Sequence, residues 1–266
     1  MKIALFPNYK KEGTKTILEK IKSILDEHNA EYSVFDSADD AAYKECDFVI
    51  TIGGDGTLIK HAKAASAYSK PCLGINTGRL GFLTNLDSSN LSCLKQLFSG
   101  KYEVESRMML IVTAKSGDKV LYSGSALNEA VISSGSVGRI TDLVLSVNSD
   151  DIEYRADGVI VSSPTGSTAY SMSAGGPIID PAVRCITVTP ICSHSLTARP
   201  LLASQDSVLS LSLCDSSRTG AVLTVDGERC CDVDKDTKIT ISKASYDVKL
   251  INIGHNTIFK AVAQKF

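Results

Sequence analysis

The stretch from Phe48 to Lys60 reads F-V-I-T-I-G-G-D-G-T-L-I-K, and it decides the fold. Its first five residues are apolar or β-branched, which predicts a buried strand, and a helical pattern of apolar residues begins at Leu58. The three glycines between them predict a turn in which the backbone adopts positive φ and approaches a ligand closely. The helix behind this turn would offer free N–H groups to a phosphate. The stretch therefore predicts a phosphate-binding strand–turn–helix unit.

Asp55 is the unusual residue of this turn, because its negative charge opposes a phosphate unless it holds a metal or accepts a proton. We interpret it as the base of a phosphoryl transfer reaction. The alternative is a tight turn in which the carboxylate only caps the helix. The turn matches neither the Walker A motif nor the G-x-G-x-x-G fingerprint. The rest of the sequence must therefore decide between the two interpretations.

Strand and helix patterns alternate over the first hundred residues. The strands are expected at Ile3–Phe6, Tyr32–Phe35, Phe48–Ile52 and Cys72–Ile75, and the helices at Thr14–Asn29, after Gly56 and at Leu91–Ser99. Such alternation is typical of a parallel sheet with helices on both faces. We therefore predict a Rossmann-like α/β domain over residues 1–100, with its ligand at the carboxyl ends of the strands.

The pattern changes after Gly100, where short β-rich runs recur with turn residues between them. The runs are Met109–Ala114, Lys119–Ser123, Glu129–Ser133, Asp142–Val147, Gly158–Ser162, Ile186–Pro190, Val208–Leu213, Ala221–Val225, Thr237–Ile241 and Asp247–Ile253. This spacing predicts an all-β, sandwich-like domain over residues 101–254. A short helix is expected at Ala169–Ser173, and residues 255–266 are a candidate for packing back on the first domain.

Composition excludes several classes of partner. The 266 residues carry a net charge of −2, which disfavours nucleic acid or an acidic membrane surface as a general partner. No apolar run approaches the roughly 20 residues that span a bilayer, and the N-terminus lacks the apolar segment of a signal peptide. We expect a cytoplasmic protein.

Eight cysteines invite a metal or disulfide interpretation, yet no C-x-x-C pair occurs and the spacings resemble no zinc site. Most of them lie within apolar, strand-like runs, where a free cysteine acts as a small hydrophobic residue. We therefore expect reduced thiols and no metal site made by the protein alone.

Six further segments combine glycines and polar residues beside buried strands: Gly74–Phe82, Asn128-Glu129, Asp157–Tyr170, Ser173–Pro177, Thr189–Pro200 and Asp226-Gly227. Together with the Gly53–Thr57 turn they resemble the NAD kinase family, which phosphorylates the 2′-hydroxyl of the adenosine ribose of NAD. The turn alone is also similar to phosphofructokinases and to diacylglycerol or sphingosine kinases. The segments at 157–177 and 189–200 are the specific ones.

The resemblance implies a role for individual residues. Asp55 matches the base. The residues that match NAD-binding positions are Gly56, Phe82, Asn128, Glu129, Asp157, Thr168, Ala169, Tyr170 and Ser173. The residues expected in the phosphoryl-donor loops are Gly53, Gly54, Thr57, Asn76, Gly78 and Arg79.

Simpler interpretations stay open for several of these positions. Phe82 and Tyr170 could be core residues, Asn128 and Glu129 a buried polar pair at a strand end, and Arg79 a member of a surface ion pair. Asp226-Gly227 could be only a hairpin turn, for which this dipeptide is a strong signal.

Two further observations concern charge. Many relatives carry Asn-Arg-Gly at positions 76–78, whereas this chain has Thr77 and so lacks one cation there. The histidines carry little functional signal: His28 and His61 are expected to be solvated on helices, and His194 to be structural.

The resulting hypothesis is an NAD kinase that transfers the γ-phosphoryl group of ATP, or of polyphosphate, to NAD. Mg²⁺ is expected to bind mainly through the donor phosphates, and a homodimer or homotetramer is expected from the family and as the usual soluble assembly. The alternatives are a lipid or sugar kinase that shares the Gly-Gly-Asp-Gly turn, and a dinucleotide-binding regulator without catalysis.

Overall fold

The computed structural model describes residues 1–78, 81–136, 139–215, 217, 220–254 and 257–265. The chain forms two compact units. Unit 1 contains Met1–Ser106 and Asp247–Phe266, and unit 2 contains Arg107–Tyr246. Among the described helices none is both long and apolar enough to cross a membrane.

Unit 1 is built on a parallel sheet. Its strands are β1 (Lys2–Pro7), β2 (Glu31–Val34), β3 (Phe48–Gly53) and β4 (Cys72–Asn76), in the order β2-β1-β3-β4. The helices between them are α1 (Thr14–Glu27), α2 (Asp40–Glu45) and α3 (Asp55–Ser66). The carboxyl ends of β3 and β4 lie side by side, because Gly53 pairs with Asn76. This pairing brings the two glycine-rich loops together.

The apolar spacing of α1 explains how it packs. Ile17, Leu18, Ile21 and Leu25 are all buried and share a core with strand residues such as Ile50. This spacing places them on one face of a helix. The predicted strand and helix alternation of the first domain is confirmed, and α2 is an element that the sequence pattern did not indicate.

The helix predicted at Leu91–Ser99 is instead a 3₁₀ helix at Leu91–Leu97. Its buried residues are Leu91, Leu94 and Leu97. A 3₁₀ helix has three residues per turn, so leucines spaced by three lie on one side of it. The leucine spacing therefore accounts for the correction.

Unit 2 contains antiparallel strands in two sheets that enclose a shared core. One sheet has the order β12-β11-β10-β7-β14-β15, and the other includes β13, β8 and β9, with β5 and β6 paired beside them. The strands are β5 (Glu103–Ser116), β6 (Lys119–Ala126), β7 (Glu129–Ser134), β8 (Thr141–Val147), β9 (Asp150–Ala156), β10 (Gly158–Ser162), β11 (Cys185–Ile191), β12 (Leu201–Ser204), β13 (Leu209–Leu213), β14 (Ala221–Val225), β15 (Glu228–Val233) and β16 (Thr237–Asn252).

The core of unit 2 confirms the predicted sandwich-like class. It contains Ile132 and Val161 from the first sheet and Leu145 and Leu209 from the second. Facing apolar rows from two sheets are the defining feature of a sandwich. A short helix, α4 (Tyr170–Ser173), follows β10.

Strand β16 replaces the two separate strands expected at Thr237–Ile241 and Asp247–Ile253. Its first part pairs with β13 in unit 2, and Leu250 pairs in parallel with Cys72 of β4 in unit 1. The chain therefore returns to unit 1 at Asp247, earlier than the expected residue 255. The last helix, α5 (Ile258–Lys265), belongs to unit 1.

Candidate active site

The Gly-Gly-Asp-Gly turn joins β3 to α3 in unit 1, with Gly54 as the residue that caps α3. Gly53, Gly54 and Gly56 do not have positive φ, so that expectation is wrong. Lack of space requires glycine at position 53, whereas at Gly54 the nearest group is the movable end of a lysine and at Gly56 there is open space. A Cβ on Gly53 would lie 2.5 Å from Thr57 Oγ1, and a Cβ on Gly54 would lie 3.0 Å from Lys11 Nζ.

The Asp55 side chain bonds to a distant loop. Its Oδ2 accepts hydrogen bonds from the backbone N–H groups of Phe82 (2.9 Å) and Leu83 (3.4 Å). Its Oδ1 accepts from the backbone N–H (3.0 Å) and the hydroxyl (2.9 Å) of Thr84. The interpretation of Asp55 as only a cap of α3 is therefore wrong, because its carboxylate holds the loop that follows β4.

Asp55 and Gly81 fit against each other. A Cβ on Gly81 would lie 2.0 Å from Asp55 Oδ1, so any larger residue would displace the carboxylate. A carboxylate has about four lone-pair positions, and the four donors of this loop occupy them. The hydroxyl of Thr84 is the only one of the four that can rotate away.

Thr84 and Asn76 complete this network. The Thr84 hydroxyl also accepts from Asn76 Nδ2 (3.0 Å) and from the backbone N–H of Gly81 (3.1 Å). Asn76 Oδ1 accepts from the backbone N–H of Gly78 (2.8 Å). Asn76 and Gly78 thus shape the second glycine-rich loop, while Arg79 lies outside the described residues.

Two cavities border the turn. The larger, of about 610 Å³, is lined by Pro7, Asn8, Tyr9, Lys10, Lys11, Asp36, Gly54, Asp55, Gly56, Thr57, Lys60 and His61. The smaller, of about 450 Å³, is lined by Lys11, Glu12, Gly54, Asp55, Asn76, Thr77, Gly78 and Gly81. The predicted donor residues Gly53, Gly54, Thr57, Asn76 and Gly78 are therefore gathered at one end of the sheet of unit 1.

His61 is buried, which corrects the expectation that it is solvated. Its ring stacks on Phe6 with centroids 4.3 Å apart, and its Nδ1 lies 2.6 Å from the hydroxyl oxygen of Tyr43. Burial, with a smaller contribution from Lys60, lowers the pKa of His61 to about 4. A neutral ring with an unprotonated Nδ1 accepts a hydrogen bond from the Tyr43 hydroxyl, and His61 forms part of the cavity wall.

The three lysines of the larger cavity were not among the residues predicted from the sequence. Lys10 and Lys11 follow the carboxyl end of β1, and Lys60 lies on the first turns of α3. A basic pair directly after a parallel strand is a signal that could have found them, since ligands bind at such strand ends.

The Asn128-Glu129 motif lies at the start of β7 in unit 2, and Asp226 fixes its backbone. The Asp226 carboxylate accepts from the backbone N–H groups of Leu127 (3.0 Å), Asn128 (2.8 Å) and Glu129 (3.2 Å). Asp226 and Gly227 have φ of 48° and 82° and connect β14 to β15. The hairpin-turn interpretation is therefore right, and the turn also anchors the motif.

Two polar atoms of this motif are available to a ligand. Asn128 Oδ1 and Glu129 Oε2 are buried and have no hydrogen-bond partner within the part of the chain that the structure describes. Burial, followed by the charge of Asp226, raises the pKa of Glu129 to about 7. Buried polar groups are normally paired, so these two atoms indicate a place for a bound molecule. A simple capping pair would leave them satisfied.

The segment after β10 covers this motif. The Ser163 backbone N–H donates to the carbonyl of Asn128 (2.9 Å), and its hydroxyl donates to the carbonyl of Leu127 (2.5 Å). A hydrogen bond from the backbone N–H of Tyr170 lowers the pKa of Glu129 and so opposes part of the rise caused by burial and Asp226. Thr168 and Ala169 are half-buried, and Ser173 is exposed. Tyr170 is 45 % exposed, so it is not a core residue.

Asp157 and Phe82 both lie apart from the Asn128-Glu129 motif in the chain, Asp157 just before the start of β10 and Phe82 in the loop after β4. Asp157 is exposed and precedes β10, whereas Glu129 pairs with Ser162 at the other end of that strand. Five residues of strand separate them, about 16 Å, so Asp157 and Glu129 do not contact the same group of a ligand. Phe82 is half-buried beside Asp55 in unit 1, and is therefore not a core residue either.

Comparisons with known proteins agree with these features. The chain matches the model of the ATP-NAD kinase N-terminal domain over residues 5–102 and that of the ATP-NAD kinase C-terminal domain over residues 127–253. An NAD kinase of Caldanaerobacter subterraneus subsp. tengcongensis is 34% identical and covers 99% of this chain and 98% of its own. One of Symbiobacterium thermophilum is 41% identical over 84% of this chain and 80% of its own.

Two solved structures are similar as well. An NAD kinase from Archaeoglobus fulgidus in complex with ATP has 27% identity and a TM-score of 0.78, covering 100% of this chain and 98% of that one. Yeast NADH kinase in complex with NADH has 23% identity and a TM-score of 0.86, covering 99% and 85% of the two chains. The second likeness supports the fold alone.

Proposed function

The chain belongs to the NAD kinase family and is a kinase that phosphorylates NAD, and from this premise we propose that Asp55 is its base. The proton would come from the 2′-hydroxyl of the adenosine ribose. A bond forms between the ribose 2′-oxygen and the γ-phosphorus of ATP, and the bond from that phosphorus to the β–γ bridging oxygen breaks. The products are NADP and ADP.

The observation that carries this proposal is the position of Asp55. It lies on the first turn of α3, where the two glycine-rich loops meet and both cavities open. Phosphoryl transfer requires alignment, charge neutralisation and a group that accepts the hydroxyl proton. Rotation of the Thr84 hydroxyl would free one Asp55 lone pair for that proton. General-base assistance of this kind contributes about 10²- to 10⁴-fold.

We propose that NAD is bound by the Asn128-Glu129 motif. The free oxygens Asn128 Oδ1 and Glu129 Oε2 are acceptors, and ribose hydroxyls and the adenine amino group are donors. Residues 168–170 and Ser173 lie in the segment that covers the motif, and the exposed Tyr170 ring offers a flat surface for a base. Gly56 and Phe82 are proposed to contact the adenosine beside Asp55.

The phosphoryl donor would occupy the loops of unit 1 at Gly53, Gly54, Thr57, Asn76 and Gly78. The first N–H groups of α3 face the cavities and favour a negatively charged ligand. ATP is the proposed donor, and polyphosphate presents the same chemistry. Arg79 is a proposed donor contact on the sequence alone.

The residues around the donor site fit a metal that arrives with the substrate. No cluster of three or more His, Cys, Asp or Glu side chains suited to a metal occurs in the described ranges, and the larger cavity contains the carboxylates of Asp36 and Asp55. Mg²⁺ commonly binds through one or two carboxylates together with substrate phosphates. Asp36 is the carboxylate we propose to face it, because the Asp55 oxygens are occupied. The ion would neutralise charge on the donor phosphates.

Asp157 suggests how chains assemble around the substrate. It lies about 16 Å along β10 from the residue that pairs with Glu129, so it does not contact the part of NAD that Glu129 binds. We propose that it contacts NAD bound to a second copy within a homodimer or homotetramer.

The eight free cysteines support a reducing compartment and hence a cytoplasmic protein.

The direct test is incubation of the purified chain with NAD, ATP and Mg²⁺ and detection of NADP. ATP-dependent formation of NADP is expected. Binding of NAD without NADP formation would favour a regulator without catalysis, and phosphorylation of a sphingoid base or sugar phosphate in its place would favour another kinase class. Either result would overturn the proposal.

A further inference from the structure

Lys11 occupies a central position between the two cavities of unit 1. It is a wall residue of both the larger and the smaller cavity, together with Gly54 and Asp55. Its Nζ lies 3.0 Å from the position that a Cβ on Gly54 would take. The ammonium group therefore lies close to Gly54, the residue that caps the N-terminus of α3.

Carboxylates line both cavities, Asp36 the larger and Glu12 the smaller, but neither pairs with Lys11 within the described residues. In the described ranges Lys11 forms no ion pair and its side chain makes no hydrogen bond, although Glu12 follows it in sequence. The other carboxylate at both cavities is Asp55, whose oxygens are already occupied by the loop at 82–84. Lys10 and Lys60 add two more positive charges to the larger cavity. The larger cavity is thus lined by three lysines and two aspartates, in a chain whose net charge is −2.

We propose that Lys11 is the residue that binds the phosphates of the phosphoryl donor; this inference rests on the proposed function. Its ammonium and the start of α3 would bind the same anionic group from two sides. The group that fits is a chain of phosphates, because a lysine ammonium acts as a compact point charge without a preferred plane. Lys11 neither gives nor takes a proton, and it stabilises the negative charge that develops on the departing β-phosphate.

The position predicts which kinetic constant depends on Lys11. Lys11 is proposed to contact phosphate and not the adenine ring, so kcat/KM for ATP and kcat/KM for polyphosphate should depend on it alike. NAD binding is assigned to the Asn128-Glu129 motif, so the KM for NAD should not change. Thr77 lines the smaller cavity together with Lys11. A cation introduced at Thr77 should therefore replace part of the lost charge.

The test compares steady-state kinetics of Lys11→Met, which keeps the aliphatic stem and removes the charge, with Lys11→Arg. Lys11→Met should lower kcat/KM for ATP by about 10- to 100-fold, the range expected for a charge-assisted hydrogen bond. Lys11→Arg should retain most activity. Lys20→Met, at an exposed lysine of α1 away from both cavities, is the matched control and should behave as the wild type.

The double variant Lys11→Met with Thr77→Arg separates a phosphate contact from a structural role. Partial recovery of kcat/KM for ATP supports the phosphate contact. Unchanged kcat/KM for ATP in Lys11→Met overturns the inference. An equal fall in kcat/KM for ATP and for NAD, accompanied by a lowered Tm, also overturns the inference, because that pattern indicates damage to the fold.

Equilibrium binding of Mg·ATP keeps this inference distinct from the proposed function. If the wild type binds Mg·ATP and forms no NADP, the proposed function fails. In that case weaker binding by Lys11→Met still supports Lys11 as a phosphate ligand, and equal binding still overturns it.

Discussion

Thr84 is the residue on which the geometry of the active-site loop depends most. Its hydroxyl donates to Asp55 Oδ1 and accepts from Asn76 Nδ2 and the backbone N–H of Gly81. The side chain is 4% exposed. None of these bonds was predictable from the sequence, because Asp55 and Thr84 are 29 residues apart and only the pairing of β3 with β4 brings them together.

Replacing this hydroxyl should destabilise the protein. Thr84→Val keeps the shape and leaves two donors without this acceptor, the buried amide of Asn76 and the half-buried backbone N–H of Gly81. An unsatisfied buried donor costs about 1–3 kcal/mol, so the free energy of unfolding from urea titration should fall by at least that amount. Thr16→Val, at an exposed threonine of α1, is the control and should have little effect. Equal stability of Thr84→Val and the control would contradict the network.

The proposed role of Glu129 predicts that NAD binding depends on pH. Burial and the charge of Asp226 raise the pKa of Glu129 to about 7, so the carboxylate that would accept hydrogen bonds from ribose hydroxyls forms only as pH rises through that value. We expect kcat/KM for NAD to increase with pH through about 7. Glu129→Gln should abolish this transition and lower the plateau about tenfold, the loss of a charged hydrogen bond.

The same shift has the opposite effect on the ligand-free fold. A raised folded-state pKa stabilises the protein at pH values below the unfolded-state pKa, and this contribution to the free energy of unfolding is lost as pH rises through about 7.

A pH profile of kcat/KM for NAD that keeps its transition in Glu129→Gln would show that another group is responsible.

At the scale of elements, α3 is held against β1 by the stack of His61 on Phe6 and against α2 by the Tyr43–His61 hydrogen bond. The sequence predicts a solvated His61 on a helix, because nothing near His61 in the sequence indicates that it packs against an aromatic residue from another part of the chain. Phe6 and Tyr43 come from other parts of the chain. Packing at this level depends on tertiary structure.

His61 should make the stability of unit 1 fall in acid. Its pKa is lowered to about 4, so the neutral ring stabilises the fold above the unfolded-state pKa of about 6.5, and the contribution is lost as pH falls toward 4. From pH 7 to pH 5 the wild type should lose on the order of 2 kcal/mol more than His61→Gln, whose amide oxygen can still accept from Tyr43. Urea unfolding at the two pH values measures this difference. Parallel losses in both proteins would contradict it.

The strands that the sequence did not indicate share one property. β9, β12 and β15 all lie at the edges of their sheets. An edge strand has a neighbour on one side only and often carries polar and charged residues. The polar run D-D-I-E-Y-R-A of β9 is an example, whereas the central strands β7, β10 and β11 bury nearly every residue and were predicted from their apolar runs.

At the scale of the whole molecule, the two fold classes were predictable because each has its own periodicity. The path of β16 was not, since one strand that begins in unit 2 and ends in unit 1 resembles two separate strands with a polar interval at Lys243–Asp247. The site residues were identified through the resemblance of several segments. The separation of Asp157 from Glu129 required the strand register.

The proposed sharing of Asp157 between copies predicts complementation. Asp55→Asn chains lack the base and Asp157→Ala chains lack the contact given to a neighbour, so each protein alone should have low activity. After unfolding and refolding together, mixed oligomers contain sites with both wild-type residues and should regain NADP formation. Refolding the two separately and mixing them afterwards is the control. Activity that never exceeds the sum of the two variants would contradict the shared site.

The role of Asp55 is tested most directly by the single-turnover rate of NADP formation in Asp55→Asn, with NAD and ATP saturating so that weakened binding does not contribute. Equilibrium binding of NAD and the Tm are measured on the same preparation to show that the fold is kept. The account predicts a rate about 10²- to 10⁴-fold below the wild type with NAD still bound. An Asp55→Asn protein that forms NADP at the wild-type rate would contradict it.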